Sequence, residues 1–429
     1  FGPYLSVAAV GLIVHWGAIW DRSASRVFSL GWLVPAVVLV CLVLMGGMLA
    51  MLRLVREWRS PPGDGPRPGR RRFLASLGAA CWAGPAAMAG GGRIASAGES
   101  RPRIKIGQIG TAHAHASGKM QAMRKLAECY EVVGIVEPDP QQRERVRNHA
   151  PYRDLRWMSE EELFQVRGLQ AVAVETSVRD LVPTAARCVA AGLHVHLDKP
   201  PGESLADFRA LLAESTRRGL VVQLGYMFRS NPAFQFLFRA VREGWLGNVF
   251  EVHGVISKTV DARSRGELAA YCGGAMFELG CHLIDALVAV LGKPERVTPY
   301  LRRTRPAVDD LADNCLAVFE YPAATATIRS SLIEVEGMGR RQFVVCGDRG
   351  TIDIRPLEPP RLLLALAEPR QGFRRGVQEV ALPPMAGRYD GEFLELARLI
   401  RREKLSDYPP AHDLAAQEAL LLACGLPVR

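Results

Sequence analysis

Beyond residue 101, the apolar positions of the chain form short segments that alternate with amphipathic ones. The apolar segments of strand length are Ile104–Ile109, Tyr130–Val136, Gln170–Val174 and Leu193–Leu197. Helical spacing covers residues 116–129 and Pro183–Ala191. Strands that alternate with helices form parallel sheets, because each helix carries the chain back across the sheet. The pattern predicts an α/β domain of this kind over residues 102–225.

The remainder of the chain, residues 226–429, is richer in strands. Strand segments bounded by turn residues are predicted at Val249–Ser257, Asp313–Tyr321, Ala324–Leu332, Gln342–Val345 and Thr351–Ile354. Helical patterns near Tyr389–Arg402 and Ala411–Cys424 close the chain. These elements predict a second α/β domain.

The first sixty residues carry long apolar stretches instead. Residues 27–52 contain no charged side chain and are long enough to span a bilayer with some tilt. An earlier apolar stretch at about residues 4–20 lies near the lower length limit, and Asp21–Arg26 separates the two. We predict a transmembrane hairpin over residues 1–60, with a buried core hairpin as the alternative. The arginines that follow the second stretch place this end on the cytoplasmic side.

Residues 61–101 combine a linker with a possible export signal. Residues 61–69 are mostly Pro and Gly and are therefore not helical. The following Arg70-Arg71-Arg72-Phe73-Leu74 resembles a twin-arginine signal, and an uncharged stretch with small-residue cleavage sites comes after it. A basic anchor beside the membrane is the alternative. We expect a protein that is associated with the inner membrane or exported to the periplasm, and a cytoplasmic one if the signal is not used.

Charge and cysteine content narrow the class of function. The net charge is +10, and residues 1–100 hold ten basic and four acidic side chains, so most of that charge lies before the α/β domains. No dense basic and aromatic stripe follows, which argues against nucleic-acid binding. The nine cysteines are scattered without a Cys-x-x-Cys pair or a Cys/His cluster, so the spacing supports neither a disulfide framework nor a zinc site.

The first strand-to-helix turn is a candidate dinucleotide site. A pyrophosphate binds there to backbone N–H groups and a helix N-terminus, typically in a G-x-G-x-x-G sequence. Here the turn is Gly110-Thr111-Ala112-His113-Ala114-His115, which keeps only the first glycine. Glu137 follows the second strand and could accept hydrogen bonds from the ribose hydroxyls. Because a carboxylate repels a 2′-phosphate, NAD is favoured over NADP.

Two later segments carry candidate catalytic groups. His196-Leu197-Asp198-Lys199-Pro200 lies at the carboxyl end of a predicted strand, where open parallel sheets bind ligands. The second segment is Gly273–Asp285, in which Glu278, His282 and Asp285 share one helix face. His194 and His196 also share a strand face. No third ligand stands at a fixed spacing beside them, and we predict no metal site.

With these segments the chain resembles the Gfo/Idh/MocA oxidoreductase family over roughly residues 103–425. The matching stretches are Lys105–Gly110, Asp198-Lys199-Pro200, Gly225–Pro232, Gly244–Gly247 and Gly273–Asp285. The sequence departs from the family pattern at Asp198, where Glu is usual, at Glu278, where Asp is usual, and at Leu181, where a His is expected.

The resemblance implies a Rossmann NAD(P)-binding domain followed by an α/β domain whose open, mostly antiparallel sheet supports the active site and often a homo-oligomer. It places cofactor contacts at Gly107, Ile109, Gly110, Thr111, Ala112, His113, Glu137, Thr176, Asp198, Lys199 and Pro200. It places substrate contacts at Arg229, Asn231, His282 and Asp285, and catalytic groups at Lys199, Glu278 and His282.

The expected reaction is NAD(P)-dependent oxidation of a sugar, polyol or related secondary alcohol by hydride transfer. His282 would act as the base, because the ordinary pKa of histidine lies near working pH. Lys199 would stabilise charge on the reacting oxygen, and Glu278 would orient His282 or bind a substrate hydroxyl. Two alternatives stay open: an NAD-dependent glycosidase with a retained, internally recycled cofactor, and a non-catalytic sugar-binding or scaffold protein.

Overall fold

The computed structural model of this protein describes residues 101–385 and 387–428. The predicted hairpin, linker and export signal of residues 1–100 lie outside the described residues. Among the helices of the described ranges, none combines the length and the apolar character that a membrane span requires.

The first domain contains a five-stranded parallel sheet with the order β2-β1-β3-β4-β5. Its strands are β1 (Ile104–Ile109), β2 (Tyr130–Val136), β3 (Leu169–Val174), β4 (His194–Leu197) and β5 (Val222–Leu224). A single parallel bridge joins Trp157 to Ile135 on the outer side of β2. The chain order reverses at β1, and an open parallel sheet binds its ligand in the crevice at such a point.

Helices cover both faces of this sheet, as the alternating pattern predicts. They are α1 (Ala116–Lys125), α2 (Pro140–Val146), α3 (Glu160–Phe164), α4 (Val178–Ala190) and α5 (Leu205–Arg217), with a 3-10 turn at Ala150–Tyr152. Helix α4 begins five residues before the predicted start at Pro183 and contains that proline.

The second domain is built on an eight-stranded sheet with the order β13-β12-β11-β10-β6-β9-β8-β7. Its strands are β6 (Val249–Ser257), β7 (Arg296–Arg302), β8 (Asn314–Glu320), β9 (Thr325–Ser331), β10 (Gln342–Gly347), β11 (Gly350–Leu357), β12 (Pro360–Leu366) and β13 (Gly376–Glu379). All neighbours are antiparallel except β6 and β9, which confirms a mostly antiparallel sheet. The sequence pattern missed β5, β7, β12 and β13.

The remaining helices of this part are α6 (Pro232–Arg242), α7 (Ala262–Leu268), α8 (Cys281–Leu291), α9 (Asp390–Ile400) and α10 (Pro410–Ala423). Short turns of other helix types lie at Met227–Ser230, Met276–Gly280 and Gly337–Arg340.

Helix α9 returns to the first domain, although the sequence analysis assigned it to the second. Its buried Phe393 and Leu396 belong to the same apolar cluster as Ile104 and Ile106 of β1. The Tyr130 hydroxyl also donates a 2.5 Å hydrogen bond to the Phe393 carbonyl. Periodicity identifies the apolar face of a helix, but not the sheet against which it packs, and α9 therefore adds side chains to the wall of the active site.

Candidate active site

The carboxyl ends of β1, β3 and β4 meet at the predicted dinucleotide turn. Gly110 has φ +90°, and a Cβ atom there would lie 2.6 Å from the Cα of Thr176, so only glycine fits this close approach. The backbone N–H of His113 donates to the Glu175 carbonyl at 3.1 Å. The turn is therefore held directly against the end of β3.

Glu137 lies beside this turn, as predicted. Its Oε2 accepts hydrogen bonds from the N–H and the hydroxyl of Thr111, at 2.7 and 2.6 Å, and its Oε1 accepts from the N–H of Asp139 at 3.0 Å. Each carboxylate oxygen accepts two hydrogen bonds, so Oε1 keeps one acceptor position for a ribose hydroxyl.

The turn and the start of α1 fit a dinucleotide. No side chain caps the N-terminus of α1, and Ala112 and Ala114 are exposed. The imidazoles of His113 and His115 stand at or near glycine positions of the motif, but they turn inward, toward Asp198. The two imidazoles therefore do not cover the N-terminus of α1, which would bind a pyrophosphate.

Other predicted cofactor residues shape the sheet. A Cβ on Gly107 would lie 2.6 Å from the side chain of Leu163, so this glycine allows α3 to pack closely on β1. Ile109 is in the core. The hydroxyl of Thr176 donates to the Ser177 carbonyl at 3.2 Å.

Asp198 is fully buried and is the centre of a cluster of charged and polar groups. Its Oδ2 lies 2.8 Å from His113 Nδ1 and 3.2 Å from His115 Nδ1. Its Oδ1 accepts a 2.7 Å hydrogen bond from the backbone N–H of Lys199 and lies 3.5 Å from Lys119 Nζ. Burial alone would raise the pKa of Asp198, but the two histidines and Lys119 hold it well below its usual value.

Lys119 of α1 connects this cluster to β4 and α9. Its ammonium is fully buried, donates to His196 Nε2 at 2.7 Å and lies 3.1 Å from Glu392 Oε2. Because a lysine only donates, His196 is protonated on Nδ1, which donates to Gln223 at 2.9 Å. Burial, with the charge of Lys119, lowers the pKa of His196 to about 3.

Two further carboxyl groups face the same cluster. Glu175 is fully buried with neither side-chain oxygen in a hydrogen bond. Burial, reinforced by Asp198, raises the pKa of Glu175 well above its usual value. Burial also raises the pKa of Glu392, and the ammonium of Lys119 offsets part of this effect.

Lys199 and Glu278, both predicted to be catalytic, form a buried pair. Lys199 Nζ donates to the Glu278 carbonyl at 2.9 Å and lies 3.4 Å from its Oε1. Burial would lower the pKa of Lys199, but Glu278 reverses this and raises it. The reciprocal effect lowers the pKa of Glu278 despite its burial. At neutral pH the pair is therefore an ammonium and a carboxylate.

His282 lies on α8, directly after a π-helical turn at Met276–Gly280. The ring is 3% exposed, packs against the rings of Tyr226 and Phe228, and has no hydrogen-bond partner for its buried Nδ1. Burial, helped by Lys199, lowers its pKa well below 6.5, so the imidazole is neutral. The π-turn changes the helical register, and Glu278 pairs with Lys199 and does not orient His282.

The predicted substrate residues Arg229, Asn231 and Asp285 have structural roles instead. Arg229 is buried and lies 2.6 Å from a carboxylate oxygen of both Asp285 and Asp413. Asn231 caps α6 through Ala233 N–H and donates to the Leu357 carbonyl. Most of their polar atoms are occupied within the fold, although Arg229 also lines a cavity beside β5.

Basic side chains surround Glu278 on the other side of the site. Lys258 follows β6, and burial together with Lys199 and two arginines lowers its pKa, although Glu278 opposes this. Those arginines, Arg341 and Arg388, lie 3.4 and 3.3 Å from Glu358. The positive charges of Lys258, Arg341 and Arg388 lie on this side of the site, where they would favour negative charge that develops on a bound oxygen.

Two cavities border this site and are lined by some of its residues, among them Glu392 in one and Arg388 in the other. One of about 750 Å³ runs between β5 and α9, and one of about 600 Å³ lies beside α6. Neither is lined by Lys199 or His282, so cavity size does not identify the chemistry here.

The sequence analysis did not select His115, Lys119, Glu175 or Glu392. The histidine pair at 113 and 115 was visible, but its common target on β4 was not. A lysine on a helix and a glutamate at a strand end normally lie in solvent, so no local signal predicted their burial.

Comparison with protein families gives two matches that together cover more than half of the chain. Residues 104–226 match the model described as the oxidoreductase family with an NAD-binding Rossmann fold. Residues 234–353 match the GFO/IDH/MocA C-terminal domain.

Curated relatives and solved structures agree with this assignment. The trans-1,2-dihydrobenzene-1,2-diol dehydrogenase of Sus scrofa is 28% identical over 181 residues, which are 41% of this chain and 53% of the relative. An oxidoreductase of Rhizobium meliloti is 30% identical over 198 residues, 45% of this chain and 58% of the relative. The chain thus spans little more than half the length of these relatives.

Among structures, the aldose-aldose oxidoreductase of Caulobacter crescentus has a TM-score of 0.63 at 19% identity, covering 76% of this chain and 98% of that one. The UDP-N-acetylglucosamine 3-dehydrogenase of Acidithiobacillus ferrooxidans has a TM-score of 0.62 at 18% identity, covering 75% and 97%. At this identity the likeness establishes the fold.

Proposed function

Because the chain belongs to the Gfo/Idh/MocA oxidoreductase family, we propose that it oxidises a secondary alcohol of a sugar, polyol or related small molecule, with NAD as the hydride acceptor. The observation that carries the proposal is the buried His282 imidazole, whose Nδ1 has no partner and whose pKa is lowered by burial and by the charge of Lys199. A histidine with a purely structural role in a core is normally hydrogen-bonded, whereas the Nδ1 of His282 has no partner.

The nicotinamide cofactor supplies the hydride acceptor when it is bound. The residues that would hold it are the Gly110–His115 turn, the N-terminus of α1 and the carboxylate of Glu137. Similar proteins include a trans-1,2-dihydrobenzene-1,2-diol dehydrogenase and, among structures, a UDP-N-acetylglucosamine 3-dehydrogenase; these names support a substrate with more than one hydroxyl group.

The chain's own residues handle the proton and the charge. His282 accepts the hydroxyl proton, since its lowered pKa leaves the imidazole neutral at neutral pH, with one ring nitrogen free to accept. Lys199 donates a hydrogen bond to the same oxygen and stabilises the alkoxide. Glu278 keeps Lys199 charged and fixes the direction of its ammonium.

The test uses NADH formation with a panel of free sugars, polyols and dihydrodiols. His282→Asn should lower kcat by about 10²–10⁴-fold, the range of general-base catalysis, while His149→Asn at an exposed position should leave it unchanged. Full activity in His282→Asn would overturn the mechanism. Release of an aryl leaving group from an aryl glycoside without net NADH would instead favour the glycosidase alternative.

A further inference from the structure

Three side chains on the inner wall of the active site direct potential ligand atoms at one point. Asp198 Oδ2 lies 2.8 Å from His113 Nδ1 and 3.2 Å from His115 Nδ1, and the ligand atoms of the three residues lie within 4.8 Å of one another. In a tetrahedral zinc site, ligands at 2.0–2.1 Å from the metal are about 3.3 Å apart. Only small side-chain movements separate the observed spacing from that geometry.

Both ring nitrogens of His113 lie beside acceptor oxygens. Its Nε2 lies 3.1 Å from the Lys199 carbonyl, and a carbonyl oxygen only accepts, so Nε2 carries the proton. In a neutral ring Nδ1 then presents a lone pair, and it faces a carboxylate oxygen at 2.8 Å. Two acceptors at this distance repel each other unless a second proton or a metal ion lies between them.

The surroundings of the three residues match those of metal ligands. A metal-bound histidine almost always donates its other N–H to a carbonyl or carboxylate, and a ligating carboxylate is itself hydrogen-bonded. His113 makes the first of these contacts with the Lys199 carbonyl. Asp198 makes the second through Oδ1, which accepts from Lys199 N–H and leaves Oδ2 for the point between the imidazoles.

The charges near this point also favour a cation. Three buried carboxyl groups, Asp198, Glu175 and Glu392, adjoin the ammonium of Lys119, while the ammonium of Lys199 is paired with Glu278. Both oxygens of Glu175 lack hydrogen bonds. A buried carboxylate is costly unless it is paired, and a divalent ion beside Asp198 would pair with it.

We propose that His113, His115 and Asp198 bind one divalent transition-metal ion, with Zn²⁺ as the expected occupant. Two imidazole nitrogens and one carboxylate oxygen suit zinc and neighbouring first-row metals, whereas Mg²⁺ prefers oxygen ligands. Three protein ligands leave a fourth position for water or substrate. The sequence analysis predicted no metal, because Asp198 lies 83 residues beyond His115.

A second group with suitable residue types does not qualify. Asp285, His412 and Asp413 also lie close together, but the guanidinium of Arg229 is 2.6 Å from both carboxylates. A fixed cation already occupies the position that a metal would take.

The experiment uses the whole chain, purified with a tag that contains no histidine and without chelator. Metal content is measured by mass spectrometry. The chelated protein is then titrated with Zn²⁺ against a chromophoric competitor, with Mg²⁺ in parallel. The variant is His115→Ala, and the matched control is His149→Ala at an exposed position. His115 is partly exposed, so its removal leaves the core packing in place; circular dichroism verifies the fold, and His113→Gln is the second variant.

We expect about one Zn²⁺ per chain and no competition by Mg²⁺. Loss of a direct ligand should weaken binding more than about 100-fold in His115→Ala, since even loss of a supporting partner costs 10–100-fold. His149→Ala should bind like the wild type. Equal zinc affinity in wild type and His115→Ala, or no stoichiometric zinc in the wild type, would overturn the proposal and place a second proton on His113. Neither result depends on the alcohol substrate, so the oxidoreductase proposal stands or fails separately.

Discussion

Replacing Gly225 by alanine should test the buried network around Lys119. Gly225 follows β5 with an ordinary, negative φ, so alanine introduces no backbone strain. A Cβ atom there would lie inside van der Waals contact of Lys119 Nζ, 3.1 Å from Asp198 Oδ1 and 3.3 Å from His196 Nε2. The three atoms nearest to the added methyl group therefore all belong to this network.

The expected loss of stability follows from the contacts that the Lys119 ammonium loses. Its side chain is flexible, but its ammonium is completely buried between His196 at 2.7 Å and Glu392 at 3.1 Å. A movement of about 1 Å, which the methyl group requires, lengthens at least one of these contacts beyond hydrogen-bonding distance. A hydrogen bond to a charged group contributes about 1.5–3 kcal/mol, so we expect Gly225→Ala to lower the free energy of unfolding by that amount.

Urea unfolding followed by circular dichroism measures this change. The control is Gly266→Ala in the middle of α7, where an added Cβ meets nothing within 4 Å. Alanine in a helix interior is favoured over glycine by about 0.5–1 kcal/mol, so the control should be slightly more stable than the wild type. Equal stability of the two variants would show that Lys119 is not held as described.

Three other substitutions or conditions test separate parts of the site. Arg229→Leu removes the guanidinium from two buried carboxylates, of which Asp285 keeps His412 and Asp413 loses its ion pair, and should cost about 3–5 kcal/mol in urea unfolding. Arg263→Leu in an exposed pair should cost less than about 1 kcal/mol, and similar losses would contradict this. Because the pKa of His282 is lowered, kcat/KM should stay constant as the pH falls through about 6.5, the ordinary pKa of histidine. A decrease in kcat/KM centred at that pH would mean that the base is not a buried histidine. Glu137→Ala should reduce the ratio of kcat/KM for NAD over NADP at least about tenfold, and an unchanged ratio would exclude a ribose contact.

Much of the architecture was determined by the sequence alone. The alternation of apolar strands with amphipathic helices predicted the parallel sheet, and β1, β2 and β6 have the predicted bounds. Short strands such as β5 and β13 were missed because three or four residues give too little periodicity. Lys199 and His282 were selected as candidates because each belongs to a segment with a recognisable pattern, one at a strand end and one on a helix.

Only the tertiary structure decided which of these groups act on each other. Arg229, Asn231 and Asp285 looked available to substrate, but long-range contacts with α10 and β11 bury them as structural groups. The π-turn before α8 moves Glu278 to Lys199, which a regular helix would not predict.

Two histidines in a glycine-poor turn seemed to obstruct the cofactor, and the fold turns them instead onto Asp198. Periodicity fixes the face on which a side chain lies. Which other side chain it contacts depends on how the ends of β1, β3 and β4 come together and on where α9 packs. Both are determined by packing between residues that are far apart in the chain.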